Sequence, residues 1–148
     1  MEQQFYVKQW DVQLRPRTRG FHLITEEVLS ATDGFDGMQV GICQVFILHT
    51  SASLTLNENT DPDVRTDLET TFSELIPDAN PAYVHQYEGP DDMPAHAKST
   101  VIGSSVSFPI RDGRPVLGTW QGLYVCEHRN RGGARRLCIT AMGSAGAV

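Results

Sequence analysis

The sequence predicts an α+β domain built on a largely antiparallel sheet with two or three helices. Apolar runs with strand periodicity recur along the chain. The dipeptide Asp112-Gly113 between two of them is a strong hairpin signal. Helical patterns are few and inserted, without the regular strand-helix alternation of a parallel sheet. The length of 148 residues fits one domain spanning 1–148, with no repeat, low-complexity tract or flexible linker to divide it. A composition of 40% hydrophobic and 20% charged residues supports a packed core.

In chain order, Phe5 to Leu14 reads as a strand with an imperfect period of two. A short helix follows: Thr25 suits its cap, Glu26 and Glu27 its first turn, Ile24 and Leu29 sit at staple spacing, and Asp33-Gly34 supplies the stop. Val40 to Leu48 is apolar on both alternating faces apart from Gln44, which predicts a central strand covered on both sides. A second helix starts at Asp61-Pro62, a favoured cap followed by a favoured first residue. Val64, Leu68, Phe72, Leu75 and Ile76 share one of its faces, and Pro77 closes it. Ala95–Gly103 suits a short third helix. The hairpin at Arg111-Asp112-Gly113-Arg114 joins strands at Val106–Ile110 and Pro115–Cys126, and Arg131-Gly132-Gly133 turns into a last strand, Arg135–Met142.

Twelve Lys and Arg against eighteen Asp and Glu give a net charge of −6, which speaks against non-specific binding to nucleic acid or anionic membrane. The start, Met1-Glu2-Gln3-Gln4, has no leader pattern, and no window approaches the ~18 apolar residues of a membrane span. Cys43, Cys126 and Cys138 are odd in number and sit in strand-like runs, as reduced core cysteines do. These features place the protein in the cytoplasm.

Two segments carry more polar chemistry than packing needs. His49-Thr50-Ser51-Ala52-Ser53-Leu54-Thr55-Leu56-Asn57-Glu58-Asn59 follows directly on a buried strand, where polar groups must be paired or used. Pro77–Pro94 is a long loop with Tyr83, His85, Tyr87 and Glu88, and His96 and Lys98 come just after it. His49, His85 and His96 could ligate a divalent metal, zinc or magnesium, with Asp91, Asp92 or Glu127 as further ligand or orienting group. Their spacing matches no local metal motif, and three histidines bonded to backbone and water are the alternative. Arg129, Arg131, Arg135 and Arg136 around a Gly-Gly turn, and Arg15, Arg17 and Arg19 near the start, are either phosphate-binding clusters or solvated turn residues. Ser51 or Ser53 beside His49 offers a nucleophile and base, but no GxSxG elbow accompanies them. Trp120 in Gly118-Thr119-Trp120-Gln121-Gly122 suits a flat ligand or an interface.

Taken together, His49-Thr50-Ser51-Ala52-Ser53, Asn57-Glu58-Asn59, Asp61-Pro62, Asp91-Asp92-Met93-Pro94-Ala95-His96, Lys98-Ser99 and Gly118-Thr119-Trp120-Gln121-Gly122 closely resemble the YjbQ family, also named secondary thiamine-phosphate synthase. The resemblance runs from Arg19-Gly20 to Arg136. It implies an antiparallel β-sandwich assembled as a homotrimer with clefts where subunits meet. It also implies a weak coupling of a hydroxymethylpyrimidine pyrophosphate to a thiazole phosphate, with release of pyrophosphate, as a secondary activity. A histidine-rich, metal-binding pocket carries over onto His49, His85 and His96, with Asn57, Glu58, Asp92, Lys98 and Glu127 beside them, while His22 and His128 fall outside it. Lys98, Glu58, Asp92 and Glu127 are then the candidate catalytic residues, and Asn57, Ser51, Arg136 and Trp120 the candidate substrate contacts. The competing readings are a metal-dependent hydrolase or lyase on another small phosphorylated metabolite, with Glu58 or Asp92 as base, and a non-catalytic metabolite-binding trimer.

Overall fold

The computed structural model describes residues 4–145. Met1–Gln3, from which the absence of a leader is read, and residues 146–148 lie outside the described residues. The chain runs β1 (Gln4–Leu14), β2 (Gly20–Leu23), α1 (Thr25–Ala31), β3 (Val40–Ile47), β4 (Ala52–Glu58), α2 (Pro62–Leu75), α3 (Asp92–Ile102), β5 (Ser105–Arg111), β6 (Arg114–Pro115), β7 (Gln121–Glu127) and β8 (Arg135–Ala145). It is α+β. One sheet has the order β1-β8-β3-β5-β6 and the other β2-β7-β4, with every pairing antiparallel.

The two sheets face each other across the main core. Cys43, Val45, Ile47, Phe108, Ile110, Leu137 and Ile139 of the larger sheet meet Leu54, Leu123 and Val125 of the smaller, with Ile24, Val28, Phe35 and Met38 closing one end. On its other face the smaller sheet packs Phe21, Tyr124 and Cys126 against Leu68 and Phe72 of α2 and Ile102 of α3. The layers are therefore sheet, sheet, helices. All three cysteines are free, and burial pushes the Cys43 and Cys126 thiols up to about 12, so they are inert core groups. Among the described residues no helix is long and apolar enough to cross a membrane.

Several local signals hold. Asp61 caps α2 by accepting from the Asp63 amide at 2.9 Å, with Pro62 at the first helical position. Asp112 and Gly113 take φ values of 50° and 73°, the left-handed pair that a tight hairpin between β5 and β6 requires. Others need correction. Thr25 is not a cap: it is the first residue of α1, and its hydroxyl accepts from the Leu123 amide at 2.9 Å, pinning the helix to β7. Leu75 is exposed at the end of α2. The segment Pro115–Cys126 is not one strand; after Pro115 the chain leaves the larger sheet and re-enters the smaller as β7.

A fourth correction bears on assembly. β3 is central in its sheet, but only Cys43, Val45 and Ile47 face the core; Val40, Ile42, Phe46 and Leu48 are exposed. Register extends this outer face across the sheet. Phe5, Ser144, Val40 and Arg111 form one cross-strand row, and Val7, Met142, Ile42 and Pro109 the next. Among the described residues these side chains stay exposed.

Candidate metal and anion site

Two elements meet at the end of the smaller sheet where β4 begins. The loop from Pro77 to Asp91 folds back on itself, with the Ala79 amide donating to the Pro90 carbonyl at 3.2 Å, and carries His85 inward. α3 then begins at Asp92, three residues earlier than the sequence suggests, and its first turns bring Asp92 and His96 onto one face at i, i+4. His85 Nε2 lies 2.7 Å from Asp92 Oδ2 and His96 Nε2 lies 3.0 Å from the same oxygen. The three ligand atoms of His85, Asp92 and His96 all lie within 4.8 Å of one another.

Hydrogen-bond partners assign the His96 tautomer. Its Nδ1 is 2.9 Å from the Thr50 carbonyl, which can only accept, so Nδ1 carries the proton. In the neutral ring this leaves the Nε2 lone pair aimed at a carboxylate oxygen, lone pair against lone pair. Only a cation between them, or a second ring proton, relieves that. A ligating histidine whose other nitrogen donates to a backbone carbonyl is the usual arrangement at metal centres. Asp92 is buried, which would by itself raise its carboxyl, but the adjoining His85 and His96 rings and the charge of Arg129 hold it below the usual range. Arg129 Nη1 donates to Asp92 Oδ1 at 2.6 Å and its Nε to Asp91 Oδ2 at 3.0 Å, fixing the carboxylate from behind.

His49 lies apart from this trio. Its Nε2 accepts from the Arg136 amide at 2.8 Å, and its Nδ1 lies 3.3 Å from Arg135 Nη1. It shares with His96 a groove of about 570 Å³, lined also by Leu48, Thr50, Ser99 and Thr100. His85 opens instead on a cleft of about 320 Å³ with Tyr83, Gln86, Met93 and Pro94. Behind His49, Glu127 takes two bonds from Arg135, Nε to Oε1 at 2.8 Å and Nη2 to Oε2 at 2.6 Å, and Arg135 Nη2 also donates to Ser51 Oγ. A Cβ on Gly132 would overlap Glu127 Oε1, so only glycine lets this pair close.

The remaining candidates disperse. Glu58 accepts from the Thr60 and Asp61 amides and, with Asn57 and the exposed Trp120, occupies the far end of β4, about 20 Å of strand away. Lys98 is two positions past His96, about 200° around the helix, so its amine points away from the trio. That amine is the one buried side-chain polar atom among the described residues with no hydrogen-bond partner. Burial and the charge of Arg19 push it below its usual range. The arginines read as phosphate clusters are mostly engaged by carboxylates: Arg17 with Glu27, Arg19 with Glu69 and Asp78, Arg129 with Asp91 and Asp92, Arg135 with Glu127. Arg136 is exposed.

His128, outside the histidine pocket that the resemblance implies, is fully buried, with Nε2 2.7 Å from Ser53 Oγ. It directly follows β7 and continues the alternation of Tyr124 and Cys126 on the helix-facing side, where its ring meets Phe21. Burial, then the charges of Lys98, Arg19 and Arg135, push it down to about 3 from 6.5. Between those values the unfolded chain binds a proton that the folded chain refuses. Stability therefore falls as pH drops below about 6.5, by up to about 1.4 kcal/mol per pH unit. Denaturant midpoints at pH 7.5 and 5 are expected to differ in wild type and to converge in large part in His128→Gln; an equal gap in both proteins would refute this. His49, also lowered by burial and the charges of Arg135 and Arg136, adds a smaller slope of the same sign.

The comparisons now decide the lineage. The family described as UPF0047 protein YjbQ-like matches residues 10–144. The chain belongs to the YjbQ family. The YjbQ protein of Salmonella typhimurium is 51% identical over 132 residues, covering 89% of this chain and 95% of that protein. The YjbQ protein of Escherichia coli O157:H7 is 48% identical over 130 residues, covering 88% and 94%. Among solved structures, a YjbQ family protein of Clostridium acetobutylicum is 34% identical with a TM-score of 0.75, covering 87% of this chain and 96% of that one. A YbjQ-like protein of unknown function from Sulfolobus solfataricus reaches a TM-score of 0.84 at 24% identity, covering 95% and 99%, a likeness of fold alone.

Proposed function

We propose that this YjbQ-family protein is a metal-dependent, trimeric enzyme that acts on a small phosphorylated metabolite by displacing a phosphate-type leaving group. The observation that carries the reading is the His96 ring, whose Nδ1 is committed to the Thr50 carbonyl while Nε2 faces Asp92 Oδ2 beside His85. Two imidazoles and one carboxylate suit a zinc-type ion better than magnesium, which prefers an all-oxygen shell. Such an ion, when bound, supplies Lewis-acid neutralisation of departing phosphate oxygens.

The chain's own residues do the rest. Thr50 and Arg129 orient the ligating side chains, and the Arg136 amide holds His49, which lines the groove. The buried carboxylates nearest the trio are engaged, Asp92 and Asp91 by Arg129 and Glu127 by Arg135. That favours a displacement over a hydrolysis or elimination that must remove a proton. Coupling of a hydroxymethylpyrimidine pyrophosphate to a thiazole phosphate fits: the thiazole nitrogen attacks the methylene carbon, the carbon–oxygen bond to pyrophosphate breaks, and pyrophosphate leaves with the electron pair. In an assay with these two substrates, Asp92→Asn and His96→Ala are expected to lower thiamine phosphate formation about 100-fold, while Glu58→Gln keeps the wild-type rate. No product from wild type would exclude the coupling, and wild-type rates in the Asp92 and His96 variants would remove the trio from it.

Assembly is supported by the bare apolar face of the larger sheet, where Phe5, Val7, Val40, Ile42 and Met142 stand exposed in adjoining rows. A face of this kind marks a protein interface, and Phe46 and Leu48 carry it to the rim of the His49–His96 groove. Ile42→Glu is expected to shift the mass in analytical ultracentrifugation from three chains to one; a wild-type protein that sediments as one chain would contradict the trimer.

A further inference from the structure

The contact between His49 and Arg135 is one that two donors cannot satisfy. The Arg136 backbone N–H can only donate, so at 2.8 Å it fixes His49 Nε2 as the acceptor. A neutral imidazole then carries its proton on Nδ1, and that N–H faces Arg135 Nη1 at 3.3 Å. A guanidinium nitrogen has no acceptor capacity in any state. The remaining donors of Arg135 are occupied: Nε and Nη2 by Glu127, and Nη2 by the Ser51 carbonyl and hydroxyl as well. Among the described residues the Nη1 hydrogens therefore have no acceptor, although the arginine side chain is only 7% exposed.

We infer that His49 Nδ1–H and Arg135 Nη1–H together form a seat for an oxyanion, one oxygen of a phosphoryl or carboxylate group entering from the groove that His49 shares with His96. Glu127 balances the charge of Arg135 and fixes its Nε and Nη2, which leaves Nη1 on the His49 side. Bonds from charged donors to anionic oxygens are the stronger kind. The sequence pointed to His49 as a metal ligand and to Arg136 as the phosphate contact; the geometry makes His49 a donor and Arg135 its partner.

This inference rests on the proposed function only for the statement that the oxyanion belongs to a substrate, and the test separates the two. The full-length protein, as purified, is labelled with 15N-histidine and titrated at pH 7.5 and constant ionic strength with inorganic phosphate in one arm and acetate in another, with metal content measured in parallel. The expected result is a protonated His49 Nδ1 whose resonance moves and saturates with phosphate, acetate or both. His49→Phe, which keeps a ring at this half-exposed position but no N–H, is expected to bind the same anion about tenfold more weakly and to retain its metal. An Nδ1 without a proton, equal responses to phosphate, acetate and chloride, or unchanged affinity in His49→Phe would overturn the seat. A protein that takes up no metal yet binds phosphate through His49 would leave the seat standing and remove the metal-dependent reading.

Discussion

Asp92→Asn is expected to abolish metal binding while leaving the fold intact. The carboxylate is buried and its two oxygens are divided: Oδ1 accepts from Arg129, and Oδ2 faces both His85 and His96. An asparagine keeps an oxygen for Arg129 and turns an amide N–H toward the Nε2 lone pair of His96, so every polar group stays paired. What disappears is the anionic ligand. Removal of one of three protein ligands takes away more than the loss of an outer orienting residue, which by itself costs ~10–100-fold in affinity. The check is metal stoichiometry beside a thermal melt: a well-folded variant with little or no metal is the expected pair of results, and full metal occupancy in Asp92→Asn would show that the carboxylate is no ligand.

Glu127→Ala is expected to cause the largest loss of stability of any single change near the site, about 3–5 kcal/mol, because it strands a buried guanidinium. Arg135 and Glu127 are paired through two bonds with side chains 7% and 1% exposed, and Glu127 also accepts from the Arg129 amide at 3.2 Å. Urea unfolding is the measurement, with a lower midpoint at similar slope. Two comparisons isolate the cause. Glu127→Gln retains acceptors for both partners and is expected to cost less, and the double variant Glu127→Ala, Arg135→Met is expected to recover part of the loss, since the unpaired charge is gone. A Glu127→Ala protein as stable as wild type would show the pair to be dispensable.

Much of the fold was legible locally. The Asp61-Pro62 start of α2 and the Asp112-Gly113 hairpin are decided by backbone preferences of the residues themselves, and the structure keeps them. What escaped depends on partners distant in sequence. β4 alternates Ser53, Thr55 and Asn57 with Leu54 and Leu56, a strand period masked by hydroxyls that suggested a polar segment. The side chains of Ser53 and Thr55 face the helices, where His128 satisfies Ser53. β2 is four residues long and too short to carry a pattern. That Pro115–Cys126 divides between two sheets, and that β3 leaves Ile42 and Phe46 exposed, follow from tertiary packing.

The site divides in the same way. Asp92 and His96 at i, i+4 on one helix form a pair that spacing alone can supply, whereas His85 reaches them only because the loop closes between Ala79 and Pro90. His49 is as plausible a ligand by residue type, yet it sits on the far side of Thr50, committed to Arg136. Arginines near a Gly-Gly turn look free for phosphate until their carboxylate partners come from other segments, Asp91 and Asp92 for Arg129 and Glu127 for Arg135.

The central claim is that His85, Asp92 and His96 hold a divalent ion, and elemental analysis of untagged protein tests it most directly. Near-stoichiometric zinc or another imidazole-preferring metal per chain, retained in His49→Ala and lost in His85→Ala and His96→Ala, is the predicted result. Metal-free protein that takes up none on incubation with zinc, or metal that is lost with His49 and kept without His85, would contradict it.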